Sequence, residues 1–340
     1  MKYAPPLLCA LIGLWVWFSD QPDAPTPLTI SGPTMGTTYS ITLAQSPASA
    51  TELARDLQTL LDCFEKKLST YHPDSELSRF NESRDDDWFA VSDAAARVLA
   101  EAQAISHLTT GAFDVTIAPL VNLWGFGIKR HSAIPTNETI AAARQSVGHQ
   151  FLDVRLSPPA LRKTTPRLTV DVNGIAPGYA VDLLAHKLDT MGYRDYLIEL
   201  GGELRARGQS HLGRPWRVGI ESPVANVRKI QRTIELRARA LATSGDYRKF
   251  FEQDGRHYSH TIDPRTGRPV ANALASVSVV ADSCARADAL ATALMVLGPN
   301  EGFEFAERER LAALFIVRGD RGYEEKSTST FPLGTESGRE

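Results

Sequence analysis

Two oxygen-bearing side chains on one predicted helix are the first candidates for chemistry in this sequence. Residues 284–298 are predicted to form a helix, because apolar side chains recur at helical spacing and Gly298-Pro299 ends the run. Asp288 and Thr292 lie four residues apart in it, so their side chains share one face. A carboxylate and a hydroxyl placed in this way suit a hard cation such as Mg²⁺. The alternative is an aspartate favoured by the helix dipole and a threonine packed in the core.

His260 is one of eight histidines in the sequence, and the imidazole of any of them can accept a proton from a hydroxyl group near neutral pH. Asp263 follows His260 closely in the sequence and could orient such a ring, although adjacency alone does not show this. A single histidine in a predicted strand is more often packed or solvated. The residue by itself therefore leaves both interpretations open.

Residues 169–179 predict a site for an anion. A short apolar strand leads there into Asn173-Gly174, which favours a turn. Pro177 is typical of the first position of a helix, which is predicted to continue to residue 191. Such a helix start directs backbone N–H groups at whatever lies before it, often a phosphate.

Composition and the order of the predicted elements indicate the class of fold. An apolar content of 43% and a charged content of 23% are ordinary for a globular protein, and 340 residues suffice for one large or two modest domains. The net charge of −3 argues against a nucleic-acid-binding protein. Antiparallel strand runs interrupted by long helices favour an α+β fold over a regular alternation of parallel strands and helices.

The predicted elements fill most of the chain. The predicted helices cover residues 50–68, 94–107, 137–147, 177–191, 284–298 and 301–308. The predicted strands form two runs in 29–43 around a turn at 32–37, and continue at 169–172, 196–200, 203–207, 216–220, 233–237, 240–247, 256–262, 275–281 and 312–318. Residues 72–87 are predicted to be a long loop, and residues from about 324 onward to be frayed.

Residues 1–18 predict export from the cytoplasm. Lys2 precedes an apolar run whose length is that of a signal-peptide core and is short for a membrane span. No A-x-A cleavage site precedes Asp20, and Cys9 lacks the small residue expected before a lipidated cysteine. Cleavage, lipidation and retention as an anchor therefore stay open. We expect a protein on the periplasmic side of the inner membrane.

The predicted organisation is an export signal or membrane anchor at 1–18, a proline-rich linker at 19–28, one catalytic domain at 29–323 and a polar tail at 324–340. Two cysteines lie in the predicted domain, Cys63 and Cys284. They could pair in an oxidising compartment, but nothing in their spacing brings them together, which favours two buried free thiols.

Eight segments between residues 30 and 318 carry a resemblance to a known family. They are PTMGTTYS (33–40), STYHPDSELSRFN (69–81), TGAFDVTIAPLVNLWGFG (110–127), DVNGIAPGYAVD (171–182), LGGELRARG (200–208), ATSGDY (242–247), SHTIDPRTGRPV (259–270) and ADALATALMVLG (287–298). Together they resemble the ApbE family of FAD:protein FMN transferases. Each motif alone is weak, but eight in order are difficult to obtain by chance.

The resemblance implies a T-fold-like α+β domain with antiparallel sheets flanked by helices. It implies an exported enzyme that binds FAD and Mg²⁺ and transfers FMN to a threonine or serine hydroxyl of an acceptor protein, with release of AMP. The implied acceptors are subunits of the sodium-pumping NADH:quinone reductase or of the Rnf complex, and membrane association through the N-terminus is expected. Two alternatives stay open: hydrolysis of FAD to FMN and AMP, and a carrier that binds FAD without turnover.

The same resemblance implies a role for individual residues. The implied metal ligands are the side chains of Asp288 and Thr292 and the carbonyl of Gly174. The implied FAD contacts are Met35, Tyr71, Ala112, Phe113, Asp114 and Asp171, and the segments that line the site include Thr243, Ser244, Gly245 and Ile262. His260 corresponds to the candidate catalytic base.

Pro177, in the FAD site that the resemblance implies, departs from the family, because many members have lysine at this position. Proline supplies no charge to a phosphate. We expect the change to be benign, because N–H groups farther along the first helical turn can bind the phosphates of FAD. Tyr71 could instead be a packed core residue, and Asp114 and Asp171 could be turn or cap residues.

Overall fold

The computed structural model of this chain describes residues 26–47, 49–128, 131, 133–224, 229–246, 250–253, 256–320, 322–332 and 335–336. The predicted export segment and most of the predicted linker lie outside the described residues. Within them, no helix combines the length and the apolar character needed to cross a bilayer.

The helices and strands of the described residues have the following bounds. The helices are α1 (Ala50–Leu68), α2 (Glu76–Glu82), α3 (Asp93–Leu108), α4 (Ala118–Leu123), α5 (Asn137–Arg144), α6 (Ala176–Thr190) and α7 (Cys284–Arg308), with short 3-10 turns at Val115–Ile117 and His149–Phe151. The strands are β1 (Leu28–Thr34), β2 (Thr37–Leu43), β3 (Phe89–Ala90), β4 (Leu152–Leu156), β5 (Pro159–Lys163), β6 (Tyr196–Leu200), β7 (Glu203–Arg207), β8 (Trp216–Glu221), β9 (Ile230–Leu236), β10 (Ala240–Gly245), β11 (Phe250–Gln253), β12 (Arg256–Ser259), β13 (Ile262–Asp263), β14 (Arg268–Pro269), β15 (Leu274–Ala281), β16 (Ala312–Gly319), β17 (Gly322–Ser327) and β18 (Thr335–Glu336).

An eight-stranded sheet forms the centre of the fold, in the order β1-β2-β6-β7-β10-β15-β16-β17. All of its neighbouring strands pair antiparallel. Two smaller sheets, β18-β9-β8 and β3-β5-β4, and two hairpins, β11-β12 and β13-β14, accompany it. Helices beside antiparallel sheets confirm the predicted α+β class.

The central sheet is covered on both faces. On one face, helices including α1, α3, α6 and α7 form the largest core cluster, to which Leu184 and Leu294 belong. On the other face, β8 and β9 pack against the sheet through Trp216 and Ile234. β15 is buried along its whole length because it lies between these two layers.

α1 begins and ends where the sequence predicts, at residues 50 and 68. Its buried side chains recur every three or four residues and are Leu53, Leu57, Leu61, Phe64 and Leu68. Burying each such side chain contributes roughly 1.5–3 kcal/mol. This apolar stripe packs the helix against the central sheet.

α7 carries the break that the sequence predicts at Gly298-Pro299. Gly298 has a φ of 79°, in the left-handed region that favours glycine, and the helix is kinked there. The two helices predicted at 284–298 and 301–308 are therefore confirmed as the two halves of one kinked helix.

The long loop predicted at residues 72–87 is wrong, because α2 lies within it. Ser75 caps α2 by accepting a hydrogen bond from the N–H of Ser78 at 2.9 Å, and Leu77 and Phe80 are buried. A single apolar pair in a polar stretch is too weak a signal to identify so short a helix, which gains its stability from tertiary packing.

The strand predicted at residues 169–172 is also wrong, because these residues belong to none of the strands described above. The side chain of Asn81 makes the backbone hydrogen bonds that a neighbouring strand would otherwise make. Asn81 Nδ2 donates to the Val170 carbonyl at 2.9 Å, and Val170 N–H donates to Asn81 Oδ1 at 2.7 Å. The backbone of the segment is therefore satisfied by a contact that local sequence does not reveal.

The prediction of a frayed tail from residue 324 is wrong, because β17 pairs with β16. Thr328 and Phe331 are buried, and Thr328 Oγ1 accepts a hydrogen bond from Ala313 N–H at 2.9 Å. The fold therefore continues past the predicted boundary at residue 323. The polar side chains of β17 belong to the edge of a sheet, where charge is common.

The two described cysteines differ in exposure. Cys284 is buried, Cys63 is exposed, and both thiols are free. The prediction of two free thiols is therefore confirmed. The prediction that both are buried is confirmed for Cys284 and is wrong for Cys63.

Replacement of Phe331 tests whether the tail belongs to the fold. Phe331 is 3% exposed and packs in the cluster between the central sheet and β8-β9. Phe331→Ala should therefore lower the free energy of unfolding, measured with denaturant, by about 3–5 kcal/mol. Glu324→Ala, an exposed change in β17, is the control. An unchanged free energy for Phe331→Ala would restore the frayed-tail interpretation.

Candidate active site

A cleft of about 350 Å³ opens beside α2 and α4. Three parts of the chain line it: Thr70, Tyr71, Pro73, Ser78, Asn81 and Glu82; Ala118, Asn122, Gly127 and Ile128; and Thr169, Val170 and Asp171. Two predicted FAD contacts, Tyr71 and Asp171, therefore border one cleft. Tyr71 is 56% exposed, which rules out the alternative of a packed core residue and leaves its ring as a stacking surface.

Asp171 begins a turn that leads from the cleft to the predicted metal ligands. Its Oδ1 accepts a hydrogen bond from Asn173 N–H at 2.8 Å, a turn geometry common for aspartate. The turn brings Gly174 against α7, where a β-carbon on Gly174 would lie 3.2 Å from Thr292 Oγ1 and 3.2 Å from the ring of Phe113. Asp171 is thus a turn residue that also borders the cleft.

Thr292 also meets β10. Its Oγ1 lies 3.4 Å from Ser244 Oγ. Alternation along the strand directs Ala242 and Ser244 to the sheet face that the helices cover. The structure therefore brings together four predicted site residues from distant parts of the chain: Phe113, Gly174, Ser244 and Thr292.

Asp288 lies one helical turn before Thr292 and is 6% exposed. Its Oδ2 accepts a hydrogen bond from the N–H of Gly178, in the first turn of α6, at 3.1 Å. Burial raises the pKa of Asp288 to about 7, and the Gly178 hydrogen bond opposes that rise only in part. A cation beside a buried carboxylate that has only one backbone N–H donor favours the ionised form of that carboxylate.

The start of α6 is not the anion site that the sequence predicts. The N–H groups of residues 175, 176 and 179 donate to backbone carbonyls, and that of Gly178 donates to Asp288. Pro177, in the first turn of α6, has no N–H. The N–H groups expected to bind the phosphates of FAD therefore already have partners within the protein. The positive end of the α6 dipole acts on Asp288 instead.

The residues around Asp288 fit a hard cation. The site offers one carboxylate from Asp288, one hydroxyl from Thr292 and the backbone at Gly174, and all of these are oxygen ligands. Among the described residues, no three His, Cys, Asp or Glu side chains gather into a metal-binding group. Mg²⁺ is commonly held by one or two carboxylates together with waters and substrate phosphates, so this set suits it.

His260 lies between β12 and β13, where the predicted strand is interrupted. Its half-buried ring meets Phe126 edge-on, with 6.4 Å between the ring centroids. Phe126 directly precedes Gly127 of the cleft lining, so this contact of His260 is with a residue next to the lining and not with the lining itself. Asp263 accepts hydrogen bonds from the backbone N–H and Nε of Arg265 at 2.8 and 3.0 Å, which assigns this carboxylate to the β13-β14 turn.

Asp114 holds the loop that presents Ala112 and Phe113. Its Oδ1 accepts from the N–H and hydroxyl of Thr116 at 2.8 and 2.7 Å, and its Oδ2 accepts from His149 N–H at 2.7 Å. The buried carboxylate is thus used within the protein, as the turn-residue alternative expects. Phe113 is the member of this loop that reaches the site, and Ala112 is buried beside it.

Met35 lies in the turn between β1 and β2, with a φ of 48°. Its N–H donates to Glu65 Oε2 at 3.1 Å, which attaches the turn to α1. The side chain is half-buried against the core on the helix side of the sheet. The structure therefore places Met35 outside the lining of the cleft.

Thr243 and Ile262 have packing roles. Thr243 Oγ1 lies 2.7 Å from Ser278 Oγ, and the alternation of β10 directs it to the sheet face opposite α7. Ile262 is 5% exposed and packs with Trp124 in a small cluster beside α4 and α5. Gly245 is the last residue of β10.

Several residues of the cleft are missed by sequence reasoning, among them Thr70, Ser78, Asn81 and Asn122. Asn81 is the last residue of the 69–81 segment, which carries part of the resemblance. The resemblance implies an FAD contact in that segment for Tyr71 alone. The backbone partner of Asn81, Val170, is 89 residues away, so only the membership of both residues in resembling segments could have linked them.

Comparison with known proteins shows the family of the chain. Residues 35–315 match the model of the ApbE family. The chain is 46% identical over 305 residues to the FAD:protein FMN transferase of Vibrio cholerae, covering 89% of this chain and 91% of the relative. It is 40% identical over 293 residues to the protein of the same name from Escherichia coli K12, covering 85% of this chain and 84% of the relative.

Two solved structures are similar over most of their length. The flavin transferase ApbE from Vibrio cholerae has a TM-score of 0.83 at 44% identity, covering 90% of this chain and 98% of that one. The apo form of the Pseudomonas stutzeri flavinyl transferase ApbE has a TM-score of 0.83 at 41% identity, covering 90% and 95%. With the family model and these relatives in agreement, the chain belongs to the ApbE family.

Proposed function

We propose that this chain transfers FMN from FAD to a hydroxyl group of an acceptor protein and releases AMP. The observation that carries the proposal is the Asp171–Gly174 turn, which joins an open cleft beside Tyr71 to the buried Asp288 and the half-buried Thr292. The cleft suits part of a dinucleotide, and these two side chains supply oxygen ligands for a cation that a pyrophosphate needs. Relatives named FAD:protein FMN transferase support the same reaction.

The proposed cation is Mg²⁺, held by Asp288, Thr292 and the carbonyl of Gly174. When bound, Mg²⁺ shields the charge of the pyrophosphate and favours departure of AMP. Asp288 contributes the negative charge, and the Gly178 N–H fixes the orientation of its carboxylate. Gly174 lacks the side chain that would crowd Thr292.

His260 is proposed as the base. A threonine or serine hydroxyl is a poor nucleophile until its proton is removed, and imidazole accepts protons near neutral pH. In the proposed step, the acceptor oxygen bonds to the phosphorus of the FMN half and its proton passes to His260. The bond between that phosphorus and the bridging oxygen breaks, and AMP leaves. Asp288 and Thr292 are unsuited to this role while they serve as ligands.

The proposed acceptors are subunits of the sodium-pumping NADH:quinone reductase or of the Rnf complex, on the periplasmic side of the inner membrane. The support is the family resemblance together with the basic and apolar sequence of residues 1–18. The same segment is proposed to associate the chain with the membrane. Recovery of the full-length chain in the soluble cytoplasmic fraction would contradict this location.

Mass spectrometry of a candidate acceptor tests the function. After incubation with the chain, FAD and Mg²⁺, the acceptor should gain the mass of one FMN, and AMP should appear in equal amount. FMN and AMP with an unmodified acceptor would favour hydrolysis. Unchanged FAD would favour a carrier.

Asp288→Asn should abolish FMN transfer while leaving the fold intact, because a charge is lost without a change in volume. Transfer is measured by flavin bound to the acceptor, and the fold by thermal unfolding. Asp282→Asn is the matched control, because that carboxylate lies just before the same helix and its side chain is 91% exposed.

Chelation and pH extend the Asp288 prediction. Wild-type activity should vanish in EDTA and return with Mg²⁺, whereas full activity in the chelator would remove the metal from the mechanism. Because the pKa of Asp288 is raised to about 7, protons compete with Mg²⁺ for this carboxylate below that pH. The Mg²⁺ concentration that gives half-maximal transfer should therefore increase as the pH falls through 7.

His260→Ala should lower the rate of transfer by about 10²–10⁴, the usual effect of removing a general base. Affinities for FAD and Mg²⁺ should stay within a small factor of wild type. At Mg²⁺ concentrations that saturate the site at every pH tested, the wild-type rate should rise with pH through the histidine range, and the variant should lack this rise. His186→Ala, at an exposed position of α6, is the control. Loss of FAD binding with unchanged turnover per bound FAD would make His260 a contact residue.

A further inference from the structure

Lys163 is a buried amine that the proposed reaction does not use. It is the last residue of β5 and is 1% exposed. Its Nζ donates hydrogen bonds to the carbonyls of Phe80 at 2.7 Å, Leu168 at 3.0 Å and Ser83 at 3.1 Å. The same nitrogen lies 4.5 Å from the centroid of the Phe80 ring. Lysine is almost never buried to this extent unless it has such partners.

The three carbonyls belong to two walls of the cleft. Phe80 and Ser83 lie at the C-terminal end of α2, where unpaired carbonyls and the helix dipole favour a positive charge. Leu168 directly precedes Thr169, the first residue of the opposite wall. One ammonium group therefore connects α2 to the segment that carries Asp171.

Asn81 makes a second connection between the same walls. It lines the cleft from α2 and exchanges two hydrogen bonds with the backbone of Val170. Lys163 and Asn81 together fix residues 168–170, and Asp171 follows at once. Residues 168–171 belong to none of the strands described. These two side chains, together with the Asp171 N–H that donates to the Val115 carbonyl at 2.7 Å, hold the segment where a sheet ladder otherwise would.

We propose that Lys163 is a positioning residue for FAD: its ammonium group holds α2 and residues 168–171 at the separation that a flavin nucleotide needs. The inference rests on the proposed FAD-dependent function. Lys163 does not line the cleft and acts through Asn81 and Asp171. An apolar side chain of similar length would leave three carbonyls without their donor, and unsatisfied buried acceptors are costly. The walls would then shift until those carbonyls reach water.

Lys163→Met tests the proposal in the full chain. FAD affinity is measured by quenching of flavin fluorescence, without an acceptor, and should fall roughly 10- to 100-fold, by analogy with loss of the residues that orient metal ligands. The KM for FAD should rise, while kcat at saturating FAD stays within a small factor of wild type. Lys187→Met is the matched control, because that lysine lies on the surface of α6 and pairs with Asp56.

A second control separates positioning from general destabilisation. Ile234→Ala removes a buried side chain from the cluster on the far face of the central sheet. It should lower the melting temperature while leaving the FAD affinity unchanged. If Lys163→Met weakens FAD binding no more than Ile234→Ala does, the proposal is overturned.

The wild-type chain offers a test that needs no variant. Burial, with a smaller effect of the nearby Arg84 guanidinium, lowers the pKa of Lys163 to about 8. The other charged side chains on α2, β5 and the segment around Leu168 are Glu76, Arg79, Glu82, Arg84, Arg162, Arg167 and Asp171. All are carboxylates or guanidinium groups, classes whose ordinary pKa values lie far from 8. FAD affinity should therefore decrease as the pH rises through 8, and Lys163→Met should lack this decrease. The same decrease in both proteins would overturn the proposal.

The outcome for Lys163 is distinguishable from the outcome for the proposed function. FAD affinity is measured without turnover, so a chain that binds FAD but transfers no FMN still gives a complete comparison of the variants. In that case the transferase proposal fails, and the FAD affinities of the variants alone decide whether Lys163 has the positioning role.

Discussion

The contact between α6 and α7 is the constraint on which the rest of the site depends. Gly178 lies so close to α7 that a β-carbon there would fall 2.4 Å from the carbonyl oxygen of Cys284. Asp182, one turn farther along α6, accepts hydrogen bonds from the N–H groups of Cys284 and Ala285, both at 3.0 Å. This close approach lets the Gly178 N–H reach Asp288. A larger residue at 178 would separate the helices and leave the carboxylate without its donor.

The same contact explains why the ionised form of Asp288 is unfavourable in the protein alone and why the carboxylate suits a cation. Burial of the Asp288 carboxylate raises its pKa to about 7, because the single backbone donor, the Gly178 N–H, opposes the effect of burial only in part. A cation beside Thr292 would favour the ionised form, so binding of the cation and ionisation of Asp288 support each other. The fold thus keeps a carboxylate that is poorly stabilised by protein alone and that a metal would stabilise well.

The cleft is built in a different way, because one part of its lining, residues 169–171, lies outside the helices and strands. Asn81 satisfies the backbone of Val170, and Lys163 satisfies three carbonyls at the end of α2 and at Leu168. Side chains can replace a sheet ladder because every buried backbone group needs a partner, whatever its source. The shape of the cleft therefore depends on a few polar side chains, and the position of Asp288 depends on helix packing.

The sequence by itself determined the elements whose signals are local. Apolar spacing located α1, Gly298-Pro299 located the kink of α7, and the spacing of Asp288 and Thr292 placed them on one helix face. Tertiary structure decided what no local pattern contains. It paired Asn81 with Val170 across 89 residues, gave the N–H of Gly178 to Asp288, and folded the tail around Phe331. The physical reason is that periodicity and turn residues act over a few positions, whereas a hydrogen-bond partner is chosen by whichever group the packed chain brings within about 3 Å.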